Sequence, residues 1–273
     1  MFTIPLYDDN STERTPFITW AIIAACVAVF LWQAGLGPRG EQAVALGLGL
    51  VPAVLFGYAE LPPQLQLVPP GATLITHMFL HGGWAHLLGN MLFLWIFGNN
   101  IEDALGHGRY LLFYLLCGLA AAAAQIAGDP ASEIPMIGAS GAIAGVLGAY
   151  LVLHPYANVR VLVWIIVFVR LINVPAWIVL GLWFAMQLFG GLATPMAKGG
   201  VAFWAHVGGF VAGILLVLLL RPRRVMLLQP QRTAPFTTAP MRAIGQGRQY
   251  GREGGSGSVP DSGFGRGRRG PWD

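Results

Sequence analysis

Long apolar runs alternate with short polar or glycine- and proline-rich breaks along most of this chain, the pattern of helices that cross a bilayer. The first run reaches from Phe17 to about Leu36, and Pro16 suits its first turn. Its polar flank holds one basic residue, Arg14, against Asp8, Asp9 and Glu13, and no small-x-small cleavage site precedes Gly35. The run therefore reads as a retained span and not as a secretory signal. Further spans are predicted over about His77 to Gly98, Tyr110 to Ala127, Gly138 to just before Pro155, Pro175 to Phe189 and Val201 to Leu220. The span from Gly138 is long enough to cross only if it begins below the membrane surface, held among other helices.

The breaks differ in kind. Gly37 to Thr76 is interrupted by Pro38, Pro52, Pro62, Pro63, Pro69 and Pro70, with a half-apolar run from Glu41 to Tyr58, which predicts short helices lying at the outer interface. Asn99 to Arg109 reads as a polar loop, with Glu102 and Asp103 just past a helix end. Ala120 to Ala124 gives the third span a small-residue surface for close packing, and Gly128 to Pro135 is a turn. Val159 to Val169 is nearly all apolar and β-branched but too short to span, and Arg160 and Arg170 bound it, so 156–173 reads as an interfacial hairpin or strand-like segment. A loop from Gly190 to Gly200 precedes the last span. From Val225 to Asp273 the chain is rich in Gly, Pro, Ser, Arg and Gln and is expected to be disordered. Its Arg-Gly clusters, such as Gly265 to Arg269, offer charge to anionic lipid or RNA, but the plainer reading is a solvated tail, and no nucleic-acid partner is expected.

Composition supports the membrane reading, since hydrophobic residues make up 55 % of the 273 and charged residues only 10 %, against about 25 % charged in soluble domains. Ten of the 16 Lys and Arg lie after the last apolar run. Cys26 and Cys117 fall inside separate apolar runs, where a small hydrophobic role is the default and a disulfide framework is not expected. Six spans put both termini on one side, and the basic residues choose which. Arg14, Arg109, Arg160, Arg170, Arg221, Arg223 and Arg224 share that side, against Arg39 and Lys198 on the other. Both termini are then cytoplasmic, and the chain is expected in a plasma membrane, as a bacterial inner-membrane protein.

This topology gives two polar residues the same depth. Ser140 lies in Ile137-Gly138-Ala139-Ser140-Gly141, at the start of a span entering from outside, and His206 lies a few residues into a span that also begins there. Serine in a membrane helix more often bonds backbone than attacks anything, but a histidine in hydrocarbon needs a partner or a wet cavity. Together they suggest a buried nucleophile and its base, with no Asp or Glu at matching depth to orient the base. His86 and Asn90 are four apart and share a helical face. They read equally as interhelical polar glue and as donors for the oxyanion of an acyl transfer, alongside the Ser140 backbone N–H. His77 and His81 are also four apart, but no intramembrane carboxylate joins them as a metal ligand, and no metal site is expected.

With Gly138-x-Ser140-Gly141, Ala205-His206-x-x-Gly209-x-x-x-Gly213 and His86-x-x-x-Asn90 in hand, the chain resembles the rhomboid family of intramembrane serine proteases over about Ile75 to Val217. Further matches are His81 ahead of His86, and Asn90-Met91 leading through Gly98 to Glu102 and Gly106. The resemblance implies Ser140 as nucleophile, His206 as general base, and Asn90, His86 and the Ser140 N–H as the oxyanion site. It also implies Glu102 as a structural residue at the cytoplasmic end, and a family activity of cutting transmembrane segments near their outer ends. The fifth span and the loop after it resemble the family's lateral gate and cap, and Gly37 to Thr76 its membrane-embedded first loop. The chain departs from many members in having Ala72 and Thr73 where they carry a Trp-Arg pair. It also has Ala144 where some place an aromatic ring to stack on the histidine, which leaves the support of His206 unexplained.

The expectation is an all-α polytopic membrane protein, a six-transmembrane-helix rhomboid-like bundle with a membrane-embedded first loop. Residues 1–16 form a cytoplasmic N-terminal segment, 17–220 the membrane domain and 221–273 a basic cytoplasmic tail. The expected function is that of a serine endopeptidase of the lipid bilayer acting on transmembrane protein substrates without a cofactor. The alternative is a non-catalytic rhomboid-like protein that binds and escorts membrane helices. A histidine-relay transporter would show internal symmetry between its halves, which the chain lacks.

Overall fold

The computed structural model describes residues 2–165, 168–194, 200–231 and 233–237. It is a helical bundle in which four helices are long and apolar enough to cross a membrane: α1 (Phe17–Gly35), α7 (His107–Gly128), α9 (Ala176–Ala193) and α10 (Phe203–Leu220). The shorter apolar helix α8 (Ser140–Leu153) sits among them, with nearly every residue buried. Between α1 and α8 lie α2 (Gly37–Leu48), the short turns α3 (Pro52–Leu55) and α4 (Thr73–Thr76), then α5 (Trp84–Phe93) and α6 (Asn99–Leu105).

Glycine lets three of these helices meet backbone to backbone. A β-carbon on Gly209 would stand 2.0 Å from the Gly141 carbonyl oxygen, one on Gly213 1.9 Å from that of Gly145, and one on Gly148 2.2 Å from that of Phe210. Gly141 meets the Ala121 methyl from α7, where an added carbon would lie 2.6 Å away, and Gly208 meets Ala124 in the same way at 2.2 Å. The Ala120 to Ala124 stripe is thus the α7 face of a tight α7–α8–α10 core, in which packing of small residues substitutes for a hydrophobic drive that lipid does not supply.

The second apolar span differs from its expected form. It begins at Trp84, not His77, because His77–Phe79 form a 3₁₀ turn and the chain then turns through Gly83 at φ +150°. It also continues past Gly98, since α5 runs through a π-helical turn (Leu94–Gly98) directly into α6. The expected polar loop over Asn99 to Arg109 is therefore mostly helix, broken only at Gly106 with φ +78°. Its polar residues stay helical because they find buried partners. Glu102, 0 % exposed, accepts hydrogen bonds from the Ile18 and Thr19 amides at 2.9 and 2.8 Å and from Thr19 Oγ1 at 2.7 Å. It also lies 2.6 Å from His107 Nδ1. Pro16 gives α1 no side-chain cap, so a carboxylate from another helix satisfies the orphan amides and meets the positive end of the helix dipole.

The β-branched segment after α8 is a hairpin, β2 (Asn158–Ile165) and β3 (Phe168–Pro175), and β2 also pairs antiparallel with β1 (Phe2–Asp8), giving the order β1-β2-β3. The chain is mostly helical, as expected, and this small sheet takes in the segment 156–173 that the sequence marked as a hairpin or strand-like. Its inward positions Val159, Val161 and Leu171 are buried, as period-2 alternation on a half-covered sheet requires. The first part of the tail makes backbone contacts with the bundle and the sheet. Leu228 and Gln229 amides donate to the Val152 and Leu153 carbonyls at 3.0 and 2.9 Å, the Phe236 amide donates to the Asn173 carbonyl at 2.7 Å, and the Asn173 amide donates to the Thr237 carbonyl at 3.1 Å. The expectation for 238–273 falls outside the described residues.

A polar cluster ties the sheet to the bundle. Asp8 accepts hydrogen bonds from the Tyr150 hydroxyl and, at 2.9 Å, from Asn100 Nδ2, while Asp9 accepts from the Asn158 amide at 2.8 Å. Burial, with some repulsion from Asp9, pushes the Asp8 carboxyl up to about 7 against these hydrogen bonds. A raised carboxyl holds its proton in the folded state where the unfolded chain has lost it. Its contribution is full below the unfolded value and is lost as pH rises through the folded one. Thermal unfolding in detergent micelles between about pH 4 and pH 8 should show the wild type losing stability with rising pH more steeply than Asp8→Asn. A second test concerns the core. Gly213→Ala forces α8 and α10 apart and should lower the unfolding midpoint by several degrees, whereas Gly181→Ala, where nothing lies within 4 Å of an added carbon, should leave it nearly unchanged.

Candidate active site

The segment entering α8 is held before the helix begins. Leu50 and Met136 exchange two backbone hydrogen bonds at 3.0 and 2.8 Å, and the Gly138 amide donates to the His77 carbonyl at 2.9 Å. Gly138 adopts φ +122°, open to glycine, and a β-carbon there would lie 2.8 Å from His86 Nε2. Ser140 follows as the first residue of α8, where backbone N–H groups have no partner within the helix.

On α10, His206 precedes Gly209 by three residues, as Ser140 precedes Gly141 by one. The backbone contact between those two glycines sets the side chains side by side, with His206 Nε2 2.8 Å from Ser140 Oγ. The start of α10 is fixed from α7, since the Ala205 amide donates to Gln125 Oε1 at 3.2 Å. The other imidazole nitrogen, Nδ1, lies 2.8 Å from Gln187 Oε1 on α9, and the Trp183 ring stands 5.8 Å away at a 39° tilt. A hydroxyl and an imidazole in hydrogen-bond contact are the parts of a nucleophile and its base.

His86 and Asn90 face the same space. The Gly82 amide donates to His86 Nδ1 at 3.3 Å, which leaves Nε2 carrying the proton as a free donor beside Gly138. Asn90 is 8 % exposed, and its Nδ2 has no hydrogen-bond partner among the described residues. Both residues, with Ser140, His206, Gln187 and Trp183, line a cavity of about 730 Å³. Unpaired donors facing a cavity are what a developing negative charge requires.

Of the residues singled out in the sequence, Ser140, His206, His86, Asn90, Gly138, Gly141 and Gly209 come together here, with Gly213 one turn deeper on α10. Glu102 does not, being engaged at the N-terminus of α1. His77 and His81 stand behind the site; His81 Nδ1 lies 3.2 Å from the Phe79 carbonyl, and its ring packs on that of His86 at 5.1 Å. Sequence reasoning passed over Gln187, Trp183 and Gln125. The signal for the first two was available, because they are the polar and amphipathic members four apart on an otherwise apolar span.

Comparison with known proteins points to one family. The Rhomboid domain matches residues 71–223, more than half of the chain. Over 78 residues the chain is 46 % identical to Rhomboid protease GluP of Bacillus subtilis (strain 168), covering 29 % of this chain and 15 % of that protein. It is 34 % identical over 152 residues to RHOMBOID-like protein 5 of Arabidopsis thaliana, covering 55 % and 45 %. It is 28 % identical over 193 residues to Rhomboid protein 1, mitochondrial, of Saccharomyces cerevisiae, covering 65 % and 52 %. The matched region thus spans at most about half the length of each of these relatives. The Rhomboid-domain match over residues 71–223 contains α5 to α10, the helices that carry every residue of the cavity named above, and on that match the chain belongs to the rhomboid family.

Proposed function

We propose that this chain is an intramembrane serine endopeptidase that cleaves transmembrane segments of other proteins near one membrane face. The contact between Ser140 Oγ and His206 Nε2, at 2.8 Å across two helices, carries the reading. His206 takes the hydroxyl proton as Oγ attacks the scissile carbonyl. Negative charge gathers on the carbonyl oxygen, where Asn90 Nδ2, His86 Nε2 and the Ser140 N–H donate to it. The tetrahedral species collapses by breaking the C–N bond, and His206 delivers its proton to the departing amine. Water then enters through the cavity, gives a proton to His206 and hydrolyses the acyl-Ser140 ester, returning the hydroxyl.

The same proposal takes the segment from Trp84 to Leu105 and helix α8 as spans beside the four longer helices, six in all. The positive-inside rule, applied to the arginines at the sheet end, supports cytoplasmic termini and an outer-half position for Ser140 in a plasma membrane. Residues 17–220 are the membrane domain, and Glu102 and the glycines are its structural parts.

The test is cleavage of a tagged single-pass protein with a small-residue, glycine-containing span, reconstituted with the purified chain. Ser140→Ala and His206→Ala should each abolish the fragment at unchanged protein level; a fragment that persists in both overturns the dyad. Asn90→Ala, which removes one donor, should lower kcat by about 10²-fold with a smaller change in KM.

A further inference from the structure

The dyad has a third member in contact with the base, and it is not acidic. We propose that Gln187 is the positioning residue of His206, holding its proton on Nδ1, so that the base is aligned from α9 and not from the helices that pair it with Ser140. The inference rests on the protease reading above and extends it to a residue outside the matched motifs.

A neutral imidazole carries one proton, and only the nitrogen without it accepts the serine proton. An amide oxygen accepts and cannot donate. With Gln187 Oε1 2.8 Å from Nδ1, the proton stays on Nδ1, and Nε2, 2.8 Å from Ser140 Oγ, is left with its lone pair toward the hydroxyl. Without that acceptor the ring has no fixed tautomer, and its Nδ1–H loses its partner. A carboxylate would do the same work more strongly, but an isolated charge in this depth of membrane is costly, and a neutral amide avoids it. Trp183, one turn earlier on α9, lies against the ring at 5.8 Å. This position answers the absence of an aromatic ring on α8, where Ala144 is buried with 0 % exposure. Both supports of the imidazole therefore come from the helix that has only Ala176, Leu180 and Gly191 buried.

The experiment compares the full chain in liposomes with Gln187→Leu and Gln187→Glu. It measures the rate at which a fluorophosphonate labels Ser140, which needs the base but no peptide, and kcat, KM and the pH profile on the tagged substrate. Gln187→Leu should slow labelling and kcat by about tenfold or more while KM stays within about twofold. Gln187→Glu should keep activity and move the acid limb of the kcat profile to higher pH, because a carboxylate in that place stabilises the imidazolium. Labelling of Gln187→Leu at the wild-type rate overturns the proposal and leaves the protease reading standing, as does a Gln187→Glu profile that superimposes on the wild type. If Gln187→Leu does not fold, the Gln187→Glu profile alone decides. A wild type whose Ser140 is never labelled fails the protease reading itself, and the inference falls with it.

Discussion

Everything at the site depends on the absence of side chains between α8 and α10. Where Gly209 faces Gly141 and Gly213 faces Gly145, the helices approach to a distance that a single methyl group would prevent. Lipid offers no hydrophobic gain for holding helices together, so close contact of backbone and small side chains has to do it. The same closeness decides the chemistry, because a serine and a histidine on more widely separated helices would not reach one another. Ala121 and Ala124 extend the contact to α7, and Gln125, one residue on, accepts the amide beside His206.

Around that core the polar groups fall into two populations. Those at the sheet end tie elements together: Glu102 serves four donors or ring nitrogens, and Asp8, Asp9, Asn100 and Asn158 join strand, helix and tail. Those in the cavity are left open, with Asn90 Nδ2 unpaired and His86 Nε2 turned to the space beside Gly138. A buried donor without an acceptor costs free energy, and Asn90 Nδ2 is one that faces the cavity shared by Ser140 and His206.

The sequence made the pair legible through topology: spans counted in order place Ser140 and His206 at one depth, and the glycines around them announce close packing. The limits have physical causes. Pairing of β1 with β2 joins segments far apart along the chain, and period-2 alternation in either segment does not name its partner. The helix through Asn99 to Leu105 was hidden because its polar residues are satisfied by α1 and by β1, contacts that a local reading of polarity scores as loop. Gln187 was missed because one amide in an apolar span is ambiguous until the ring it faces is in place. Trp183 was missed because the expectation looked for an aromatic on α8, where Ala144 stands.

α9 is a thinly rooted helix. Its long face of Leu182, Met186 and Phe189 is exposed, and few of its residues reach the core. Local opening free energies are lowest where buried contacts are fewest, so α9 is the most readily displaced of the four long helices. An imidazole supported from such a helix is aligned only for the fraction of time the helix is docked, and the observed rate is the intrinsic rate multiplied by that fraction. For the proposed protease, bilayer thickness and lipid packing, acting on this exposed face, thereby become determinants of turnover.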